Sequence, residues 1–334
     1  MSDIYTQGEY YKKSNSPKVV IIGGGTGVSV LLRGIKEYTE EITAIITVAD
    51  DGGGSGVLRE DLGMLPPGDI RSCILALADD ESIMQNLLNY RFEEGRLRGQ
   101  SFGNLFIAAM NAISDNFVEA IKNVSDVMAV KGTVLPVTTE DITLTAELVN
   151  GQIVNGESYI AKSVQEMKSN IKKMRINPCT VKALPYCLDA IEQADIIILG
   201  PGSLYTSIIP NLLVENIEIA LHNSKGKKFY ISNVMTQPGE TQGYDLFDHI
   251  EAIENHLANG SKVVDYIIAN SGIVERKYLK QYQLEGSDMV RINLSKFREG
   301  YYKFILDDFV EVKNGYIRHN AKKIIETILN VKED

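Results

Sequence analysis

The sequence predicts an α/β fold of the three-layer, Rossmann-like kind: a mainly parallel sheet covered by helices, with a helical insertion over the carboxyl edge of the strands. Three observations carry this. Short β-branched apolar runs such as Val19–Ile22 and Ile196–Leu199 read as strands buried on both faces. Stretches with helical spacing alternate with them along the chain. Glycine clusters, at 23–27, 52–56 and 200–202, stand where strands hand over to helices.

Taken in order, residues 18–22 form the first strand. Residues 28–36 follow as a helix with Val28, Leu31, Leu32 and Ile35 on one face. A second strand spans 42–48. Helical spacing then dominates at 69–78, 83–92, 101–114 and 116–128. The stretch 57–130 is too long for one crossover and reads as the helical insertion. Residues 132–137 read as a strand, and 142–149 with 152–153 as a β-hairpin around Asn150-Gly151. Further strands are expected at 194–199, 228–232 and 263–269, and helices at 246–258 and 320–330. Neither a repeat nor a linker divides the chain. Residues 18–334 are expected to be a single α/β domain, preceded by a flexible tail at 1–17.

Composition narrows the function. In 334 residues, 44% are hydrophobic and 23% charged, ordinary for a globular protein. The longest apolar runs fall far short of the roughly 18 residues of a membrane span. The polar, tyrosine-rich start lacks a secretory leader's apolar core, so a cytoplasmic protein is expected. Cys73, Cys179 and Cys187 have neither metal nor disulfide spacing and are expected to be buried free thiols. The formal charge is -10, and no basic stripe exceeds Lys172-Lys173 or Lys227-Lys228, which argues against nucleic-acid binding. An anionic ligand must then be captured by local amides and a few placed cations.

Six loops offer such capture. In the first, Gly23, Gly24, Gly25, Thr26 and Gly27 let the backbone turn sharply and approach a ligand. The free amides and dipole of the following helix favour a phosphate there. In the second, Asp50 and Asp51 precede Gly53, Gly54 and Ser55. Adjacent carboxylates beside a phosphate suit Mg²⁺, and Arg59 is placed to grip a phosphate. In the third, Asp69 is a candidate helix N-cap. Arg71, against the dipole preference in a first turn, points to an anion. In the fourth, Ser101 is a candidate cap, while Gly103 inside a helix's first turn implies a close approach and Asn104 a hydrogen bond to base or sugar. The fifth, with Gly200, Gly202 and Ser203, repeats the strand–glycine–helix arrangement. In the sixth, Asn233 and Thr236 lie just past a strand end, where ligands bind in open α/β sheets.

Other chemistry is missing. The chain has no Gly-Lys-Ser/Thr phosphate loop, nucleophile elbow, His-Glu-x-x-His or paired Cys-x-x-Cys. His222, His249 and His256 lie in helical segments, and His319 reads as a helix-start residue. No catalytic nucleophile or general base stands out.

Together these strings resemble the 2-phospho-L-lactate transferase superfamily, and within it the bacterial gluconeogenesis factor proteins. The matching segments are 23–27, 50–59, 66–71, 101–104, 200–207 and 233–241. The resemblance implies a Rossmann-like fold with a cleft across the strand ends. In the transferase branch a phospholactate-type group passes from a guanosine diphosphate carrier to a deazaflavin with Mg²⁺, and the pair matching Asp50 and Asp51 holds metal and substrate. The bacterial branch is associated with gluconeogenic growth, normal cell shape and binding of UDP-N-acetylglucosamine, without an established reaction. There, Tyr282 and Arg318 match positions that contact the nucleotide-sugar. Gln100 stands where the family often has His, and Asn320 where it often has Asp, which weakens acid–base chemistry and leaves phosphate binding intact. A regulatory nucleotide-sugar binder is therefore expected. A Mg²⁺-dependent transferase is the alternative, and the first loop alone also suggests an NAD cleft. A homodimer is expected on general grounds.

Overall fold

The computed structural model describes residues 16–79 and 83–332. The expected tail at 1–17 lies, up to residue 15, outside the described residues. The first half runs β1 (Val19–Gly23), α1 (Gly25–Ile35), β2 (Ile42–Ile46), α2 (Gly53–Leu62), α3 (Gly68–Leu77), α4 (Ile83–Asn89), α5 (Phe102–Ile113), α6 (Phe117–Val127) and β3 (Thr133–Pro136). The middle contains β4 (Thr143–Leu148), β5 (Ile153–Asn155), α7 (Glu157–Met167), β6 (Ile171–Asn177), α8 (Pro185–Gln193) and β7 (Ile196–Leu199). A π-helical turn (Leu204–Ile208) leads into α9 (Ile209–Leu212) and α10 (Ile217–Asn223). The remainder is β8 (Lys227–Ile231), α11 (Leu246–His256), β9 (Tyr266–Asn270), α12 (Arg276–Leu284), β10 (Lys303–Asp307), β11 (Val310–Lys313), β12 (Tyr316–His319) and α13 (Ala321–Leu329).

Seven strands form one all-parallel sheet in the order β10-β9-β8-β7-β1-β2-β3. β1 sits inside it between β2 and β7, and every one of its residues is buried. That explains its unbroken apolar run, because both faces are covered. α1 and α3 pack side by side, and α13 lies against α1. The expected hairpin is present as antiparallel β4 and β5, and β6 completes a small three-stranded sheet. A second small sheet pairs β11 with β12. Because all seven main strands run the same way, the loops after β1, β2, β7 and β8 open at one edge of the sheet.

Two local expectations are corrected. Cys73 and Cys187 are buried, but Cys179 is exposed, since it follows β6 in a loop. His319 ends strand β12 and does not start the last helix; the N-cap of α13 is Asn320, whose side chain accepts from the Lys323 amide.

Candidate anion-binding cleft

The first and fifth loops touch. A Cβ on Gly27 would lie 2.3 Å from the Pro201 carbonyl oxygen, and one on Gly202 would lie 3.2 Å from the Gly24 carbonyl oxygen. Only hydrogen in place of a side chain allows these backbones to approach so nearly. The buried Asn211 ties the pair together, its amide donating to the Gly23 and Ser207 carbonyls at 3.0 and 2.7 Å.

Above this contact opens a cleft of about 770 Å³. One wall is the face of α1 that carries Thr26, Ser29 and Arg33; beside it α3 presents Arg71. The opposite wall is residues 233–238 with Tyr282, Arg318 and His319. Three arginines and one histidine line the cleft, and among the described residues no carboxylate does. Nor does any of the three arginines pair with a carboxylate there; Arg59, by contrast, is ion-paired.

Arg71 is the most enclosed of the three. It passes across α5 where Gly103 leaves room: a Cβ there would lie 2.6 Å from Arg71 Cδ. Nη1 donates to the Ser101 hydroxyl, while Nε is buried with no partner. Burial, and Arg91 nearby, lower its pKa from the ordinary value. Ser101 caps α5 as expected, accepting from the Asn104 amide at 3.1 Å. Asn104 Oδ1 and Asn233 Oδ1 are also buried without partners. Buried polar atoms seldom stay unpaired, so these mark places for water or ligand. The Asn233 amide donates to the Gly202 carbonyl at 3.0 Å, and the Thr236 hydroxyl accepts from the Asp288 amide at 2.9 Å. The Tyr282 hydroxyl accepts from the Ile317 amide at 3.1 Å, and the Arg318 guanidinium lies over the Tyr316 ring at 5.0 Å. Sequence reasoning missed Arg33 and Ser29. Their signal is the spacing Thr26, Ser29, Arg33, which places all three on one helical face.

Several expected ligand contacts have internal partners. Asp69 is not the N-cap of α3; it sits inside the first turn, and its Oδ2 accepts from the Gly25 amide at 2.6 Å. Burial pushes its pKa up to about 6, with the Gly25 hydrogen bond opposing and Asp50 adding to the rise. Asp51 anchors the start of α7: its two oxygens accept from the Glu157 and Ser158 amides at 2.9 and 2.8 Å. Asp50 Oδ1 accepts from the Gly52 amide at 2.9 Å. Gly53 and Gly54 open α2 beside these acids, and Ser55 is buried where Gly68 passes it. Arg59 binds Asp141 at 2.7 Å and the Ile142 carbonyl, so it fastens α2 to the segment before β4 and lies outside the cleft lining. An Asp51→Ala variant is expected to lose about 1–2 kcal/mol of stability in urea unfolding, with ligand affinity unchanged.

Behind the cleft wall lies a second acidic group. The Ser203 hydroxyl donates to Gln237 Oε1 at 2.9 Å, and Gln237 Nε2 donates to Glu240 Oε1 at 2.6 Å. Burial pushes the Glu240 carboxyl up to about 7, with Glu157 contributing; burial, followed by Asp50 and Asp51, pushes Glu157 up to about 7 as well. Both folded values exceed the ordinary carboxylate value of 4.5. Their contribution to stability is therefore complete below the unfolded pKa and is lost as pH rises through the folded one. Stability is expected to fall between about pH 5 and about pH 8, and Glu240→Gln to flatten the fall by about 1–2 kcal/mol. Urea midpoints across that range check it.

A family model described as 2-phospho-L-lactate transferase CofD matches residues 19–310. The chain belongs to the CofD family. Among its members, the gluconeogenesis factor of Bacillus subtilis is 42% identical over 319 residues, spanning 95% of this chain and 99% of that one. The gluconeogenesis factor of Halalkalibacterium halodurans is 44% identical and spans 96% of this chain and 97% of its own. A crystal structure of a Bacillus halodurans protein superposes with a TM-score of 0.90 at 43% identity, covering 95% of this chain and 100% of that one. Metal-dependent CofD chemistry would require free carboxylate oxygens beside the cleft. Here both oxygens of Asp51 and one of Asp50 accept backbone amides. Among the described residues no group of three or more His, Cys, Asp or Glu is placed to hold a metal. Mg²⁺ binds through as few as one or two carboxylates plus phosphate oxygens, and the amide contacts leave Asp50 the less engaged of the pair. Among the described residues, too, no helix is long and apolar enough to cross a membrane.

Proposed function

We propose that this CofD-family member is a cytosolic regulatory protein of gluconeogenic growth and cell shape that binds a nucleotide-sugar of the UDP-N-acetylglucosamine kind. The observation that carries this reading is a cleft with three arginines and no carboxylate, in a chain whose net charge is -10. Such a reversal of local charge suits a diphosphate, which arginine grips more firmly than a neutral group. The two apposed glycine loops contribute Thr26, Gly27 and Gly202 to the cleft, while the Gly25 amide beside them is taken by Asp69. A volume of about 770 Å³ suits a nucleotide-sugar. Tyr282 and Arg318 also line the cleft, which supports assigning them to the sugar or base. The names of the relatives from Bacillus subtilis and Halalkalibacterium halodurans support the physiological half of the proposal.

Titration calorimetry with UDP-N-acetylglucosamine tests it. Micromolar binding is expected, competed weakly by NAD. An absence of heat at millimolar ligand overturns it. The family description favours a transferase acting on a nucleotide-diphosphate-linked substrate as the second reading. The engaged carboxylates weigh against its Mg²⁺-dependent form, and Mg²⁺-stimulated turnover abolished by Asp50→Asn would reverse that judgement.

A further inference from the structure

At the opposite edge of the sheet, where β8 and β10 begin, five lysines share one small pocket of about 240 Å³. Lys225, Lys227 and Lys228 come from the turn before and the start of β8, Lys262 from the segment before β9, and Lys303 from the first position of β10. Among the described residues Asp265 is the only acid in the lining. It lies 3.9 Å from the Lys228 ammonium and accepts from the Lys228 amide at 3.2 Å.

Three of these ammonium groups are pinned by carbonyls. Lys227 donates to the Val331 carbonyl at 2.7 Å. Lys228 donates to the Ser224 and Gly226 carbonyls at 2.8 and 3.0 Å. Lys262 donates to the Tyr301 carbonyl at 2.6 Å and lies 5.2 Å from the centres of the Tyr301 and Tyr302 rings. An ammonium has three donors, so Lys227 and Lys262 keep donors for a further partner, while Lys228 is occupied by two carbonyls and the Asp265 carboxylate. Free lysines on a solvated surface swing apart to relieve repulsion; Lys227, Lys228 and Lys262 are held in place by these carbonyls, and Lys303 lies against Tyr266. Their local charge opposes that of the whole chain, so a global field does not account for the cluster. Gly226 has no room for a side chain, since a Cβ would meet the Ala194 carbonyl oxygen at 2.4 Å, and this fixes the turn that carries three of the five.

We infer that this lysine pocket is a second anion site, separate from the arginine cleft, for a small ligand with two adjacent phosphoryl groups. Its cations are compact point charges suited to dianionic oxygens; the Lys303 and Lys262 ammonium groups are steadied over the Tyr266 and Tyr301 rings, each at 5.2 Å from the ring centre. The inference is independent of the nucleotide-sugar reading.

The test is hydrogen exchange with mass-spectrometric readout on the full chain, titrated with sodium pyrophosphate and, separately, with inorganic phosphate. Pyrophosphate is expected to protect the 224–228 and 300–303 segments, about tenfold more tightly than phosphate, with protection weakening as salt rises. Lys225→Glu with Lys303→Glu is expected to lose that protection at least tenfold and to leave any response of residues 23–27 and 233–238 unchanged. A fluorescence melt confirms that the variant is folded; should it melt early, Lys225→Glu alone, on an exposed turn residue, takes its place with the same expectation. No protection of 224–228 at millimolar pyrophosphate overturns the inference, and so does equal protection in a folded variant. Protection at 224–228 without any effect at 23–27 upholds it even if the arginine cleft binds nothing.

Discussion

Replacing Arg71 by alanine is expected to weaken UDP-N-acetylglucosamine binding by about a hundredfold or more, an effect of roughly 3 kcal/mol. The guanidinium stands in the cleft wall with one hydrogen bond to Ser101, a buried Nε that has no partner and no carboxylate ion pair among the described residues. It is a cation kept partly dehydrated in advance of its counter-ion. Removing it takes away the strongest phosphate grip, but it also removes an uncompensated charge, so folding stability should change by less than about 1 kcal/mol. Arg71→Lys should recover part of the affinity, because a point charge remains while the planar fork is lost. Calorimetry and urea unfolding on the same samples separate the two effects. Unchanged affinity in the alanine variant would place the ligand elsewhere.

The second large effect concerns shape. Gly27→Ala would put a methyl 2.3 Å from the Pro201 carbonyl oxygen and 2.8 Å from its carbon. Those atoms are backbone, and the loop that holds them is fastened by Asn233 through the Gly202 carbonyl. Neither loop can yield without parting from the other. A loss of about 3 kcal/mol is expected, with ligand binding abolished because Thr26, Gly27 and Gly202, which line the cleft, would be pushed apart. Gly25→Ala is the control. Nothing lies within 4 Å of its added Cβ, but its φ of +69° is left-handed. The cost there should be about 1 kcal/mol, so the ranking of the two variants in thermal melts distinguishes collision from backbone strain.

The parallel core and its glycine junctions were legible in the sequence because burial on both faces forces unbroken apolar runs, as in β1 and β7, and because close backbone contact excludes side chains, as at Gly27 and Gly202. What escaped had weaker local signals. β6 alternates buried Ile171, Met174 and Ile176 with Lys172, Lys173 and Arg175, so its charges hid a strand exposed on one side. α12 buries no residue fully; its apolar face is only Tyr278, Leu279 and Tyr282, partly covered by Val234, Val274 and Ile317. α7 and α8 also went unassigned, although each buries two apolar residues one turn apart, Ile160 with Val164 and Cys187 with Ile191. In the site, the positions of the loops were readable but the partners of their side chains were not. Arg59 and Asp51 look like ligand residues beside a glycine run. Their actual partners lie far along the chain, at Asp141 and at the amides of Glu157 and Ser158. Sequence distance of that size is invisible to local pattern. Asp69 reads as a cap for its own helix and instead reaches the Gly25 amide in another.

The place of β1 in the sheet imposes an order on biosynthesis. One flank of this strand meets β2 early, with Val19 beside Ile42, but the other waits for Val19 to meet Ile196. A ribosome that has completed the first three strands has therefore released only three of the seven, and β1 shows an unpaired apolar margin until about three-fifths of the polypeptide has emerged. Nascent chains stalled within that interval are natural clients for holding factors that shield open strand edges.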